Sequence, residues 1–196
     1  MTRRKTMQFK TNSFLCTFLF IALATIATST LAEDIESLVG QEGVYTLTNL
    51  HPDENRGKLF SVNFQQPGLI PLCTEVEILK VKNKRIDFKV KDTSREYKYV
   101  HHKTAGEDVK TNAVKYFGKE CNKDKVAKLS EKDQEGIKLG KALVGMSKQG
   151  VIYAIGYPPL GANPSMDAST WKYWFNRFNT FAVIFNAEGI VTQVMN

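Results

Sequence analysis

The last third of the chain constrains the fold most, because helix boundaries and an aromatic run follow one another there in close succession. Ser130 and Ser147 are capping residues at the starts of two short helices, and Pro158-Pro159 prevents the second helix from continuing. Aromatic and β-branched residues then predict three strands, at 171–176, 181–186 and 190–194. This order predicts a two-helix, three-strand antiparallel layered module over residues 130–196.

Residues 33–103 predict a separate strand-rich unit. Short β-branched and aromatic runs alternate there, and we expect Phe60, Val62 and Phe64 to share one face of a strand. Five such strands favour a small all-β barrel-like unit or a sandwich. Residues 104–129 are rich in lysine and predict a connector with a short helix around 109–117. The chain as a whole is therefore predicted to be an α+β protein.

Residues 1–32 resemble a signal peptide. Four basic residues precede an apolar stretch at 14–27, and Thr30-Leu31-Ala32 provides a cleavage site before Glu33. A retained membrane anchor is the alternative. Cleavage would reduce the formal net charge from +7 to +3, and the remaining charges are of mixed sign. A nucleic-acid partner is therefore not expected.

The cysteines predict one disulfide. Cys16 lies inside the predicted signal peptide, which leaves Cys73 and Cys121 in an oxidising compartment. Two buried free thiols are the alternative. Two cysteines without a histidine at ligand spacing do not form a zinc site, and we expect neither a metal nor another cofactor.

No residue pattern predicts catalysis. Gly145 to Gly150 has one residue too many for a nucleophile elbow and follows no predicted strand, so Ser147 is interpreted as a helix cap. His101 and His102 are adjacent and would point to opposite faces of a strand, which is a poor metal geometry. His51, beside a proline, is predicted to be a solvated loop residue. We therefore expect a protein that is not an enzyme and has no catalytic or metal-binding residues.

The aromatic strand predicts a partner-binding face. Trp171, Tyr173 and Phe175 alternate with Lys172, Trp174 and Asn176, and the first set is expected to pack on the helices. Trp174 would then lie on the outer face, where an aromatic side chain beside polar ones suits a partner. The predicted partner-binding residues are Trp174, Lys172, Arg177 and Phe178. The alternative is that the barrel-like unit covers Trp174.

The segments GMSKQGVIYAIGYPP and WKYWFNRFNTFAVIFNAEGIV resemble BamE (SmpA/OmlA), a family of outer-membrane assembly lipoproteins. The resemblance implies a two-helix, three-strand fold, shared with β-lactamase-inhibitor proteins, and an envelope role through protein or lipid contacts. The family carries a lipidated cysteine after its signal, whereas Cys16 here precedes most of the apolar stretch. We therefore predict a mature chain that starts at Glu33 without lipid. By its strand count the first unit also resembles a Src-homology-3-like barrel, which implies cell-wall or peptide binding.

These observations predict an exported, non-enzymatic binding or scaffold protein of the bacterial cell envelope, periplasmic or associated with the outer membrane. Its expected partner is an envelope protein or a cell-wall component, with peripheral membrane contact and with no nucleic acid or small-molecule cofactor. The alternative, which follows from the fold shared with inhibitors, is a proteinaceous inhibitor of a periplasmic or secreted hydrolase. A third hypothesis is a hydrolase without a recognisable motif.

Overall fold

The first part of the chain forms a curled six-stranded sheet. The computed structural model describes residues 34–196, so the predicted signal peptide and Cys16 lie outside the described residues. The strands are β1 (Val44–Thr46), β2 (Lys58–Phe60), β3 (Glu75–Lys82), β4 (Arg85–Val90), β5 (Glu96–Val100) and β6 (Phe117–Gly118). Their order is β2-β5-β4-β3-β1-β6, and only β2 and β5 pair in parallel.

Alternating apolar residues direct one face of this sheet into a core. Ile86 and Phe88 on β4 pair with Val81 and Ile78 on β3, and all but the half-buried Val81 are fully buried. A register shift between Ile78 and Lys80 interrupts the β3–β4 ladder, and such a bulge increases the local twist. The sheet therefore curls around its core into a half-barrel.

The structure differs from the prediction that Phe60, Val62 and Phe64 share a face. Leu59 and Val62 are buried, whereas Phe60 and Phe64 are half-buried and lie 5.3 Å apart between ring centroids. β2 ends at Phe60, and Asn63 has a left-handed backbone with φ of 52°. The strict alternation of a strand therefore stops before it reaches Phe64.

The segment between the two sheets contributes a strand and a covalent link. It contains helices α1 (Val109–Ala113) and α2 (Lys123–Ala127), and β6 between them pairs with β1. The predicted disulfide is present: Cys73, just before β3, is bonded to Cys121, just after β6, with 5.0 Å between the Cα atoms. The bridge thus fixes the loop after β6 to the loop before β3.

The second part of the chain confirms the predicted helix–helix–strand–strand–strand order. Its elements are α3 (Glu131–Leu139), α4 (Lys148–Ile155), β7 (Thr170–Trp174), β8 (Thr180–Phe185) and β9 (Val191–Met195). The strands form an antiparallel sheet in the order β7-β8-β9. The buried side chains of Trp171, Tyr173 and Val183 pack in one core with those of Met146 and Val151 from the helical layer.

The C-terminal end of α4 joins the two parts. The last carbonyls of a helix have no partner within it, and here loops of the first part supply the donors. Asn49 Nδ2 donates to the Ala154 carbonyl at 3.1 Å, and Asn63 and Gln65 side-chain amides donate to the Ile155 carbonyl at 2.7 and 2.9 Å. These bonds hold the loop that follows β2 against the second part.

His51 is buried at this junction, so the prediction of a solvated loop residue was wrong. Its ring Nε2 lies 3.2 Å from the Ala154 carbonyl and donates to it, and the residue is 7 % exposed. Burial lowers the pKa of His51, against the opposing effect of the nearby backbone carbonyls. The local sequence, a histidine before a proline, contains no information about this distant helix end.

Candidate partner-binding surface

Three of the four predicted partner-binding residues lie at one end of the three-stranded sheet, and Lys172 lies in the middle of β7. Lys172 and Trp174 are on β7, and Arg177 and Phe178 are in the turn to β8. Asn176 closes this turn, because its Oδ1 accepts from the backbone N–H groups of Phe178 at 2.9 Å and Asn179 at 3.1 Å. The turn leaves Arg177 exposed and Phe178 75 % exposed.

The two faces of β7 separate as the alternation indicates, except at Phe175. Trp171 and Tyr173 are buried, and Lys172 is exposed on the other face. Phe175 was expected to be buried with the inner face, but it is 40 % exposed. It follows the end of β7 and stacks on Phe181, with 4.6 Å between the ring centroids. The apolar surface at the turn is therefore larger than predicted.

Trp174 is half-buried in a cleft of about 300 Å³. Its cleft neighbours Phe64 and His102 come from the first part of the chain and lie 5.7 Å apart between ring centroids. The backbone N–H of Gln65 donates to the Trp174 carbonyl at 2.8 Å, which fixes the position of β7 against this loop. One side of the Trp174 side chain is thus covered, as the alternative expected, and the other side faces the cleft, as the outer-face prediction expected.

A second groove of about 530 Å³ continues from the cleft, because Phe64 and Arg177 line both. The other residues around this groove are Arg56, Phe60, Gln66, Asn176, Phe178 and Asn179. We call the cleft and this groove together the aromatic–cationic surface. The first part of the chain contributes Phe60, Phe64 and His102 to this surface. No local sequence pattern identifies them as site residues, because they approach Trp174 only in the folded chain.

The charge of this surface is positive. None of the residues that line the cleft or the groove is Asp or Glu. Within residues 34–196, Arg177 forms no salt bridge, and its guanidinium lies over the Phe178 ring at 4.4 Å. Lys172 lies over the Trp174 ring at 5.3 Å. These cations are thus positioned by aromatic rings and not by acidic side chains of the described part.

His102 contributes an aromatic ring to the cleft. Burial lowers its pKa, and the neighbouring Lys103 and His101 lower it further. Its Nδ1 is hydrogen-bonded to the Thr104 hydroxyl at 2.8 Å. The neutral form of the ring is therefore favoured at neutral pH. The positive charge of the surface comes from Arg177 and Arg56, and Lys172, which lines neither the cleft nor the groove, adds a cation over the Trp174 ring.

Ser147 has the contacts of a helix cap. Its hydroxyl accepts from the Gly150 N–H at 3.0 Å and contacts the buried Asp133 carboxylate, which also accepts from the Ser147 N–H at 2.7 Å and from the Ser130 hydroxyl at 2.8 Å. Asp133 thereby joins the starts of α3 and α4. A Cβ at Gly150 would overlap Asp133 Oδ1, so Gly150 allows the starts of α3 and α4 to pack closely.

Residues 34–196 contain no group of three or more His, Cys, Asp or Glu side chains arranged to hold a metal ion. No helix in the same range is both long and apolar enough to cross a membrane.

Comparisons of the chain with protein families, with curated proteins and with solved structures found no match. The resemblance to the BamE family therefore stays a prediction. The contacts and charges described above are the basis for a functional conclusion.

Proposed function

We propose that the chain is an exported, non-enzymatic binding or scaffold protein of the bacterial cell envelope, whose partner docks on the aromatic–cationic surface. One observation carries this proposal. Trp174 and Arg177, two residues selected from the sequence as partner contacts, line one cleft with Phe64 and His102 from a distant part of the chain. A concave surface with aromatic and arginine side chains has the composition of an interaction hot spot.

The exposure of Phe178 supports the same proposal. A turn closed by Asn176 requires no aromatic side chain two residues later, and Phe178, 75 % exposed, has the largest exposed fraction among the large hydrophobic residues of the described part. Phe175, also exposed, stacks on Phe181 and lines a different groove with it. A partner that covers the turn would bury the Phe178 ring, and this burial would contribute favourable free energy to binding.

Photocrosslinking in the producing bacterium tests the proposal. A photoreactive amino acid replaces Lys172 or Phe178 in two variants, and Glu188 in the control. Glu188 is exposed in the turn at the other end of β8, which is six residues and therefore about 20 Å long. We expect the same envelope protein or cell-wall adduct from positions 172 and 178 and none from position 188. Equal adducts at all three positions, or none, would contradict the proposal.

Export is tested on the same cells by the intact mass of the protein. The expected mass is that of a chain starting at Glu33 without a lipid modification. A mass that includes residues 1–32 or a diacylglyceryl group on Cys16 would contradict this part of the proposal.

The second candidate is an inhibitor of a periplasmic or secreted hydrolase. The projecting Phe178, held by a short turn, favours it, because such a side chain can enter the active-site cleft of another protein. The two candidates differ in the identity and behaviour of the crosslinked partner. A single hydrolase whose turnover falls when the purified protein is added would favour the inhibitor, whereas assembly or cell-wall partners favour the scaffold.

A further inference from the structure

We propose that the aromatic–cationic surface binds an acidic peptide segment of a partner protein, in which a carboxylate side chain neighbours an aromatic or large aliphatic one. The inference rests on the proposed function and specifies the chemistry of its partner. Three features of the surface carry it: the Arg177 guanidinium, which has no acidic partner within residues 34–196, the size of the apolar cleft, and the amide groups along the outer groove.

Charge complementarity selects an anionic occupant. Arg177 lines both the cleft and the groove and has no acidic partner within residues 34–196. Arg56 lines the groove, is largely exposed, and lies 3.7 Å from Asp53. A guanidinium group pairs with carboxylates through two parallel hydrogen bonds. Arg56 thus already has an acidic partner, whereas a carboxylate placed near Arg177 would meet a guanidinium without one within residues 34–196, and no acidic side chain lining the groove.

The cleft beside Arg177 fits a side chain. Its volume of about 300 Å³ is at the lower end of the range for ligand sites, roughly 300–1,000 Å³. The rings of Trp174, Phe64 and His102 line it, and aromatic walls favour an aromatic or aliphatic occupant. A residue next to the carboxylate in an extended peptide can place its side chain in this cleft.

The outer groove carries amide side chains that match a peptide backbone. Gln66, Asn176 and Asn179 line it, and each amide carries two N–H donors, whereas the Asn176 oxygen already accepts from two backbone N–H groups of the turn. Their amide N–H groups can donate to the carbonyl groups of an extended peptide that lies in the groove.

A lipid surface matches these features less well. A bilayer is locally flat and contacts projecting side chains, which suits Phe178 but not Trp174, half-buried in a concave cleft. Lipid headgroups also satisfy few of the directional requirements of three side-chain amides. The observations therefore favour a peptide.

Selection from a phage library of short random peptides tests the inference on the purified protein. Three proteins are used in parallel: wild type, Arg177→Gln, and Lys138→Gln, which removes one charge from an exposed position on α3. We expect wild type and Lys138→Gln to enrich peptides with Asp or Glu next to an aromatic or large aliphatic residue. A selected peptide should bind Arg177→Gln roughly tenfold more weakly and Lys138→Gln within about twofold of wild type.

Two matched probes complete the experiment. The first is the selected peptide with each Asp or Glu replaced by Asn or Gln, which should bind roughly tenfold more weakly. The second is a set of phosphatidylethanolamine vesicles with and without phosphatidylglycerol, which should not retain the protein. Binding to the anionic vesicles without peptide enrichment would overturn the inference in favour of a lipid.

The inference is also overturned if no peptide is enriched, if the enriched peptides lack acidic residues, or if Arg177→Gln binds them as wild type does. None of these results would contradict the proposed function by itself. A crosslink from positions 172 and 178, absent at position 188, would still show a partner on this surface, of different chemistry.

Discussion

Two tryptophans of one strand have different environments. Trp171 is 1 % exposed and packs edge-to-face against Phe185, with 4.7 Å between the ring centroids. Lys148 lies over the Trp171 ring. Trp174, three residues later on the opposite face, is half-buried and lines the cleft with Phe64 and His102. The first is part of a core, and the second is available to a partner. Position on the pleated strand, and not residue type, decides this difference.

The β7–β8 and β8–β9 turns of the same sheet also differ in the side chains that they expose. Asn176 closes the β7–β8 turn, and in the β8–β9 turn the Asn186 Oδ1 accepts from the Ile190 N–H at 2.8 Å. Gly189, with φ of 74°, provides the left-handed residue of the second turn. Both turns are therefore satisfied by local backbone chemistry. Only the first adds Arg177 and Phe178, side chains that turn formation does not require.

The largest expected effect is a loss of stability when the core tryptophan, Trp171, is removed. Trp171→Ala should lower the free energy of unfolding by about 3–5 kcal/mol, because it removes a fully buried ring and leaves a cavity. Trp174→Ala should cost about 1 kcal/mol, because its ring already faces the cleft. Urea denaturation of both variants measures the difference. Equal losses would mean that Trp174 is also a core residue.

Removal of the disulfide lowers stability without changing either tryptophan. The cysteines are 48 residues apart, and the loss of this cross-link should cost about 4 kcal/mol through the larger entropy of the unfolded chain. The variant is Cys73→Ser with Cys121→Ser, compared with wild type by urea denaturation. Where the variant is fully folded, partner binding should equal that of wild type. Weaker binding by the folded variant would show that the bridge also shapes the surface.

Trp174→Ala tests whether the tryptophan of the cleft contributes to partner binding. Its affinity for the crosslinked partner should fall by roughly 2 kcal/mol or more, the range for a tryptophan at the centre of an interface. The matched control is Glu188→Ala, in the opposite turn, which should bind as wild type does. Titration of the purified partner measures both. An unchanged affinity of Trp174→Ala would remove the cleft from the proposed interface.

The smallest expected effect is a pH dependence at the junction that holds the cleft together. Burial lowers the pKa of His51 below 6.5, its ordinary value, so the folded state favours the neutral ring. The unfolded chain therefore binds a proton at His51 more readily than the folded chain does. The contribution of the neutral His51 ring to stability is complete above pH 6.5 and decreases as the pH falls through the pKa of the folded state. Thermal unfolding between about pH 7 and about pH 5 measures this loss.

His51→Gln is the matched variant for this measurement, since its amide can still donate to the Ala154 carbonyl but cannot titrate. We expect a smaller loss of stability on acidification in the variant than in wild type. The same loss in both would assign the pH dependence to other groups.

Much of the fold follows from local sequence patterns. Ser130 and Ser147 cap the two helices as predicted, and the bounds of the three strands that follow lie within two residues of the predicted ones. Helix caps, prolines and alternation act between residues that are close in the chain, so their effect does not depend on the rest of the fold. The pairing of Cys73 with Cys121 was predictable because only two cysteines follow the predicted signal peptide.

The tertiary structure alone decided the shape of the candidate surface. Phe64 meets Trp174 because side chains of the neighbouring Asn63 and Gln65 satisfy a carbonyl at the end of α4, about 90 residues later in the chain. The burial of His51 has the same origin. His102 is placed beside Phe64 by the end of β5, where its backbone N–H donates to the Ser61 hydroxyl at 2.9 Å. Nothing local encodes such contacts, because they arise from the requirement that buried backbone groups find hydrogen-bond partners wherever the folded chain provides them. The sequence by itself thus determined the strand that carries Trp174, and the packing of the two parts determined the cleft around it.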